Sequence, residues 1–372
     1  MASEELPLPY DRRKDLEDFD NTKAGVKGLV DAGIQRVPRI FVRPPDDADA
    51  DGQDLDMEFE IPVIDLGGVL GAGRSDIVSR VGAAARDVGF FQVVNHGVGK
   101  DVLERMLEGA RAFHDMERDA KAEYYTRDLE RLVKFTSNFD LFKSKYANWR
   151  DTLYCQMEAP DLDPGELPAA NREIVMDYSK RVKALGITLL ELLSEALGLD
   201  RDYLKDLDCA MGHSILCHYY PACPEPHLTM GTIRHSDPSF LTVVLQDDIG
   251  GLEVMYRDQW VGVPPLSGAL VVNIGDLLQL MTNDIYVSVE HRVRANHVGP
   301  RLSVAFFFNN HMMPSARVYG PIKELLSDDN PALYKEVTVK EFSASGFSRG
   351  LDGKRKTLLS QLRLQTINVK NL

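Results

Sequence analysis

From residue 212 onward the sequence is a series of short runs rich in β-branched and aromatic residues, and no other feature limits the fold as tightly. SILCHYY (214–220), SFLTVVLQ (239–246), GLEVMY (251–256), QWVGV (259–263), ALVVNIG (269–275), YVSVEHRVRA (286–295) and RLSVAFFFNN (301–310) follow one another. Gly, Pro, Asp or Asn separates most of them. Strands this short bury an apolar face only by pairing in series, so the region predicts a barrel, sandwich or jelly roll.

Helical periodicity flanks the β region on both sides. It covers 14–34 with a break at Gly33, then 75–88, 101–121 and about 171–199, and returns at about 322–336 and 338–363. Between the early helices, IPVIDL (61–66) reads as a short buried strand and FFQVVNHGV (90–98) as a strand and turn. The expected class is mainly β with flanking helices (α+β). We expect one integrated domain: residues 1–210 wrapping the core, 211–315 forming it, and 316–372 returning as C-terminal helices.

Within the β region, His235-Ser236-Asp237 stands just before SFLTVVLQ, and His291 lies 54 residues beyond Asp237. Two imidazoles and one carboxylate on one face suit a catalytic ferrous ion. Side chains two apart on an extended backbone point the same way, so His235 and Asp237 can reach one ion. His291, from a distant strand, supplies the third ligand. An HxD pair alone is more often structural. A second element, Arg301-Leu302-Ser303, begins ten residues after His291 and places Arg301 and Ser303 on one strand face. A guanidinium and a hydroxyl together suit a carboxylate. The competing reading is an arginine at a surface strand end.

Charge narrows the partners. With 43 basic and 57 acidic residues the net charge is −14, which disfavours nucleic acid and anionic membrane surfaces. No apolar run reaches the roughly 18 residues of a spanning helix. The N-terminus lacks the apolar stretch of an export signal, and the cytosol is the default. Cys155, Cys209, Cys217 and Cys223 form no CxxC pair and read as buried free thiols. Asp47, Asp49, Asp51, Gly52 and Glu58 match a calcium-loop pattern. Pro44 and Pro45 before the run, FEIPVID after it and Asp54 at the eighth position argue for a solvated acidic loop instead.

HSD, EHRV and RLS occur in the order and spacing of the plant 2-oxoglutarate/Fe(II)-dependent dioxygenases, which the chain resembles from about residue 25 to 365. The likeness includes IPVIDL, GFFQVVNHGV, NFDLF and NWRDTL (138–153), HYYPACPEP (218–226) and GGLEV. It implies a double-stranded β-helix (jelly roll) with His235, Asp237 and His291 holding Fe(II). Arg301 and Ser303 would bind the distal carboxylate of 2-oxoglutarate, and Tyr220 would hydrogen-bond the same co-substrate. O2 is the second co-substrate and ascorbate an activator. The family often has Asn where this chain has His218.

The resemblance implies a monomeric enzyme acting on a small molecule. Phe307, Asn309, Asn138, Phe139 and Phe142 are the pocket candidates, each also readable as core. Phe306-Phe307-Phe308 favours an apolar, aromatic substrate. The wording KAGVKGLVDAGI, SNFDLF, ANWRDTL and HYYPACPEP is similar to the aminocyclopropane-carboxylate-oxidase-homologue clade. Within that clade it is similar to grass oxygenases that hydroxylate benzoxazinoid glucosides. The alternatives are other phenolic, flavonoid, alkaloid or hormone substrates. From other classes, a zinc hydrolase would have no use for an Arg301/Ser303 anchor, and a non-catalytic binding protein on the same scaffold need not keep an iron-binding triad.

Overall fold

Every strand-like run beyond residue 212 pairs with others. A computed structural model of the chain describes residues 10–45, 59–157, 162–310, 315–349 and 359–364. The calcium-loop-like residues Asp47 to Glu58 lie outside them. The main strands are β1 (Val63–Asp65), β2 (Phe90–Val94), β3 (Val133–Thr136), β4 (Asp151–Met157), β5 (His213–Tyr220) and β6 (Met230–His235). They continue as β7 (Leu241–Gln246), β8 (Leu252–Tyr256), β9 (Gln259–Gly262), β10 (Leu270–Ile274), β11 (His291–Arg294) and β12 (Arg301–Phe308). Eight form one sheet in the order β1-β2-β10-β7-β12-β5-β4-β3, and four form a second in the order β6-β11-β8-β9. The two sheets make the jelly roll that the short strands predict.

Period-two alternation assigns each strand of the large sheet two faces. Leu153, Cys217, Val243, Val272 and Val304 point to one side and join a continuous apolar core with the helices. Five helices matter here: α1 (Arg12–Asn21), α2 (Gly25–Asp31), α3 (Arg74–Asp87), α4 (Lys100–His114) and α5 (Arg172–Ala196). The long α5 buries Val175, Val182, Leu189, Leu190 and Leu193, each contributing about 1.5–3 kcal/mol. The opposite face looks toward the small sheet. Phe90, Tyr220 and Val271 there meet Leu252, Val254 and Val293 in a smaller cluster. Thr152, His218, Ser303 and Gln246 share that inner face as a polar row across four strands.

The first helix is interrupted earlier than the predicted break at Gly33. Thr22 turns its hydroxyl back onto Phe19 O, and Lys23 and Gly25 adopt positive φ. A new helix then starts because Asp151, the first residue of β4, accepts from the Val26 and Lys27 amides at 2.8 Å each. A Cβ at Gly25 would lie 2.4 Å from the Asp151 carboxylate, so this entry requires glycine. The helix predicted at 322–336 is reduced to a turn at Lys323–Leu325, in a stretch interrupted by Pro331 and the Ser327–Asn330 turn. Strands β3, β4 and β6 were absent from the predicted elements. All four cysteines are buried and free.

Candidate active site

β6 and β11 lie side by side, and His235 and His291 are direct cross-strand partners. Beyond them Val293 pairs with Thr232, so the register slips by one residue on β6. This bulge lets Thr232 and His235, three apart, both reach the interior. The two imidazole centroids are 4.3 Å apart. Asp237, just past β6, brings Oδ1 to 3.7 Å from His235 Nε2 and 3.5 Å from His291 Nε2.

Each group is oriented by its other atoms. His235 Nδ1 meets Ile233 O at 2.8 Å, and His291 Nδ1 lies 3.4 Å from Val289 O. Protons on Nδ1 leave the Nε2 lone pairs facing Asp237. Asp237 Oδ2 accepts from Thr242 Oγ1 at 2.7 Å and Asn273 Nδ2 at 2.8 Å. Burial pushes His235 down to about 3, and the neighbouring His291 adds to the effect. Burial opposes ionisation of Asp237, but the two imidazoles, Asn273 and Thr242 outweigh it and hold its carboxyl below the usual range. One carboxylate and neutral imidazole at His235 are the forms that bind a divalent cation.

These three residues bring ligand atoms within 4.8 Å of one another. With metal–ligand bonds of about 2.0–2.2 Å, two ligands of one ion can stand up to about 4.2 Å apart. The 3.5 and 3.7 Å separations therefore fit a common centre. Two nitrogens and a carboxylate oxygen fit ferrous iron.

Arg301 opens β12 and is nearly inaccessible, at 2%. Its Nη1 donates to Ser303 Oγ at 3.1 Å and its Nη2 to Gln246 Oε1 at 3.3 Å. The guanidinium carbon lies 4.9 Å from the Tyr220 ring centre. Its Nε is buried without an acceptor, so the group retains capacity for an anion. Tyr220 is directly opposite Arg301 in the register, and its hydroxyl lies 3.2 Å from Thr232 Oγ1. A Cβ at Gly231 would come within 2.8 Å of the Tyr220 ring; only glycine admits the ring here. Although burial opposes it, Arg150 and Arg301 pull the Tyr220 hydroxyl below its ordinary value. His218 presents Nδ1 to Thr152 Oγ1 at 3.0 Å, and burial holds its imidazole neutral.

The pocket candidates separate. Phe307 lies on the inner face with Arg301 and Ser303, opposite Ser214 and Thr242. Asn309, just past the strand, donates to Ser214 Oγ at 3.2 Å. Asn138 sits at φ 61° and clamps its own loop. It accepts from the Asn148 amide at 2.6 Å and donates to Asn148 O at 2.9 Å. Phe139 and Phe142 are 37% and 47% exposed. Asn273, Thr242, Gln246 and Arg150 were not singled out from the sequence. For Thr242 and Asn273 the signal was a polar residue at an inward position of an otherwise apolar strand.

The chain matches two family models and many known proteins. Residues 211–310 match the 2OG-Fe(II) oxygenase superfamily, and residues 61–176 match the N-terminal region described as non-haem dioxygenase in morphine synthesis. 1-Aminocyclopropane-1-carboxylate oxidase homolog 1 of Arabidopsis thaliana is 52% identical over 345 residues, 92% of this chain and 94% of its own length. Deacetoxyvindoline 4-hydroxylase of Catharanthus roseus is 48% identical over 362 residues, 94% of this chain and 89% of its own. The crystal structure of JOX2 in complex with 2OG, Fe and JA superposes with a TM-score of 0.78 at 30% identity, covering 92% of this chain and 97% of that one. The chain belongs to the plant 2-oxoglutarate/Fe(II) oxygenase family, whose cofactors are Fe(II) and 2-oxoglutarate, and it is a dioxygenase. Within the family it falls among the homologues of 1-aminocyclopropane-1-carboxylate oxidase. No helix of the described residues is long and apolar enough to cross a membrane.

Proposed function

We propose that the enzyme hydroxylates a plant specialised metabolite, with His235, Asp237 and His291 as iron ligands and Arg301, Ser303 and Tyr220 as the 2-oxoglutarate anchor. The observation that carries the reading is the pairing of a three-ligand cluster with a buried guanidinium on one inner face. A hydrolase would leave that guanidinium without a task.

When bound, Fe(II) with 2-oxoglutarate and O2 supplies the oxidant, releasing succinate and CO2. The chain contributes position and field. Arg301 would fork onto the distal carboxylate of the bound 2-oxo acid, and Ser303 and Tyr220 would add hydroxyl contacts that hold it in position beside the three-ligand cluster. Thr242 and Asn273 fix the Asp237 carboxylate so that Oδ1 stays turned to the centre. Phe90, whose ring stands edge-on to His291 at 5.2 Å, limits water on that side. Ascorbate serves as the reductant that keeps iron ferrous. We place the enzyme in the cytosol as a monomer.

The substrate we favour is a benzoxazinoid glucoside hydroxylated on its ring, with other phenolics and alkaloids as the alternatives. Support comes from the inner face beyond the anchor, where aromatic and polar groups alternate. Phe307 and Tyr154 offer rings to an aglycone. Ser214 and Asn309 form a polar strip for sugar hydroxyls, and the buried Gln156 fixes the Tyr154 ring by accepting from its Oη at 2.6 Å. The test is succinate release by purified protein with Fe(II), ascorbate and a panel of benzoxazinoid glucosides, free aglycones, flavonoids and indole alkaloids. Release stimulated by the glucosides above all others is expected. Stimulation by aglycones alone, with glucosides inert, sinks the glucoside assignment.

A further inference from the structure

Tyr220 is flanked by two arginines. Continuing the β4–β5 register by one residue places Arg150 opposite Tyr220, which pairs on its other side with Arg301. All three are buried, at 7%, 5% and 2% exposure for Arg150, Tyr220 and Arg301. Arg150 Nη1 donates to Thr232 Oγ1 at 2.9 Å, and, although burial opposes it, its charge together with that of Arg301 pulls the Tyr220 hydroxyl below its ordinary value. Its Nε, like that of Arg301, is buried without an acceptor. Among the described residues no carboxylate forms an ion pair with either arginine. Two uncompensated cations this close are unfavourable unless an anion binds between them.

Proton counting sharpens the point. A guanidinium only donates, so Thr232 Oγ1 accepts from Arg150. The two hydroxyls stand 3.2 Å apart, and one donates to the other. Whichever does so, a single O–H of the pair remains free. When Thr232 is the donor, the free O–H is that of Tyr220, whose ring centre lies 4.9 Å from the Arg301 guanidinium carbon.

We propose that Arg150 is a positioning residue of the co-substrate anchor. It orients the Thr232–Tyr220 hydroxyl pair so that the free O–H donates to the distal carboxylate held by Arg301, and it adds a second positive charge behind that carboxylate. This rests on the 2-oxoglutarate reading of the anchor given above. Arg150 is expected to serve 2-oxo acids that carry a distal carboxylate, and not those that lack one.

The experiment is calorimetric titration of Mn(II)-loaded protein with 2-oxoglutarate and with 2-oxopentanoate, which has the same chain length but ends in a methyl group. Arg150→Gln is expected to weaken 2-oxoglutarate binding about tenfold or more, the scale of one charged hydrogen bond. It is expected to leave 2-oxopentanoate within about twofold. Arg150→Lys, which restores charge without the fork, is expected to recover part of the loss. Thr232→Val, which keeps the arginine but breaks the hydroxyl pair, is expected to weaken 2-oxoglutarate alone and by less, and it carries the test if Arg150→Gln fails to fold. Equal losses for both acids, or unchanged 2-oxoglutarate binding in both variants, overturn the proposal. Wild-type protein that binds 2-oxopentanoate as tightly as 2-oxoglutarate overturns the anchor reading itself, and this inference with it.

Discussion

Asn273→Leu removes one of two hydrogen bonds that orient a buried carboxylate while keeping the branched shape of the side chain. Asp237 is 2% exposed. Its Oδ2 is held at 2.8 Å by Asn273 and at 2.7 Å by Thr242, leaving Oδ1 to face both imidazoles. A hydrogen bond to a charged group is worth about 1.5–3 kcal/mol, and about 1.4 kcal/mol is tenfold in affinity. Losing the amide therefore weakens metal binding by about 10–100-fold, the range found when the outer partners of metal ligands are removed. Thr242→Val removes the other donor and is expected to act similarly. Because both bonds end on one oxygen, the double variant is expected to depart from additivity. The assay is Mn(II) titration by calorimetry, with urea unfolding of the metal-free proteins to confirm the fold. Metal affinity within about threefold of wild type in a folded Asn273→Leu protein would refute the reasoning, since Asp237 would then need no orientation.

Two further outcomes follow from other parts of the structure. Arg301→Ala is expected to raise the 2-oxoglutarate requirement far more than that of the organic substrate, checked by steady-state succinate release; equal effects on both would contradict the anchor. Asp151 gives a pH dependence. Burial pushes its carboxyl from 3.8 up to about 6, against the opposing pull of the Lys27 and Val26 amides. A raised folded value favours folding fully below about 4, and that contribution is lost as pH rises through 6. The displacement corresponds to about 3 kcal/mol at most. The stability of the wild type relative to Asp151→Asn should fall between pH 4 and 6 and level off above, measured by urea unfolding across that range. A difference that rises with pH would contradict it.

Much of this architecture was legible because its signals are local. Strands β5, β7, β8, β10, β11 and β12 announce themselves as β-branched runs between turn residues, and HSD, EHRV and RLS carry their chemistry at fixed spacings. What escaped depends on partners distant in sequence. β4 is a strand because Asp151–Met157 lies between β3 and β5, although Asp151-Thr152 carries little β propensity. The break after α1 is set by a carboxylate more than a hundred residues away. Arg150 sits inside a motif quoted only for its likeness to relatives, and its position opposite Tyr220 is a matter of register. Asn138, a pocket candidate from the sequence, has its amide engaged with Asn148. A polar residue beside a site is not distinguishable from one facing it until the backbone is placed.

A crystal of the protein soaked anaerobically with Mn(II) and 2-oxoglutarate tests the centre of the account, an anomalous difference map locating the metal and an ordinary difference map the acid. We predict a single strong peak roughly 2.0–2.2 Å from His235 Nε2, Asp237 Oδ1 and His291 Nε2, with the far carboxylate of the acid against Arg301. A peak elsewhere, or an acid bound with its far end turned away from that arginine, would contradict it.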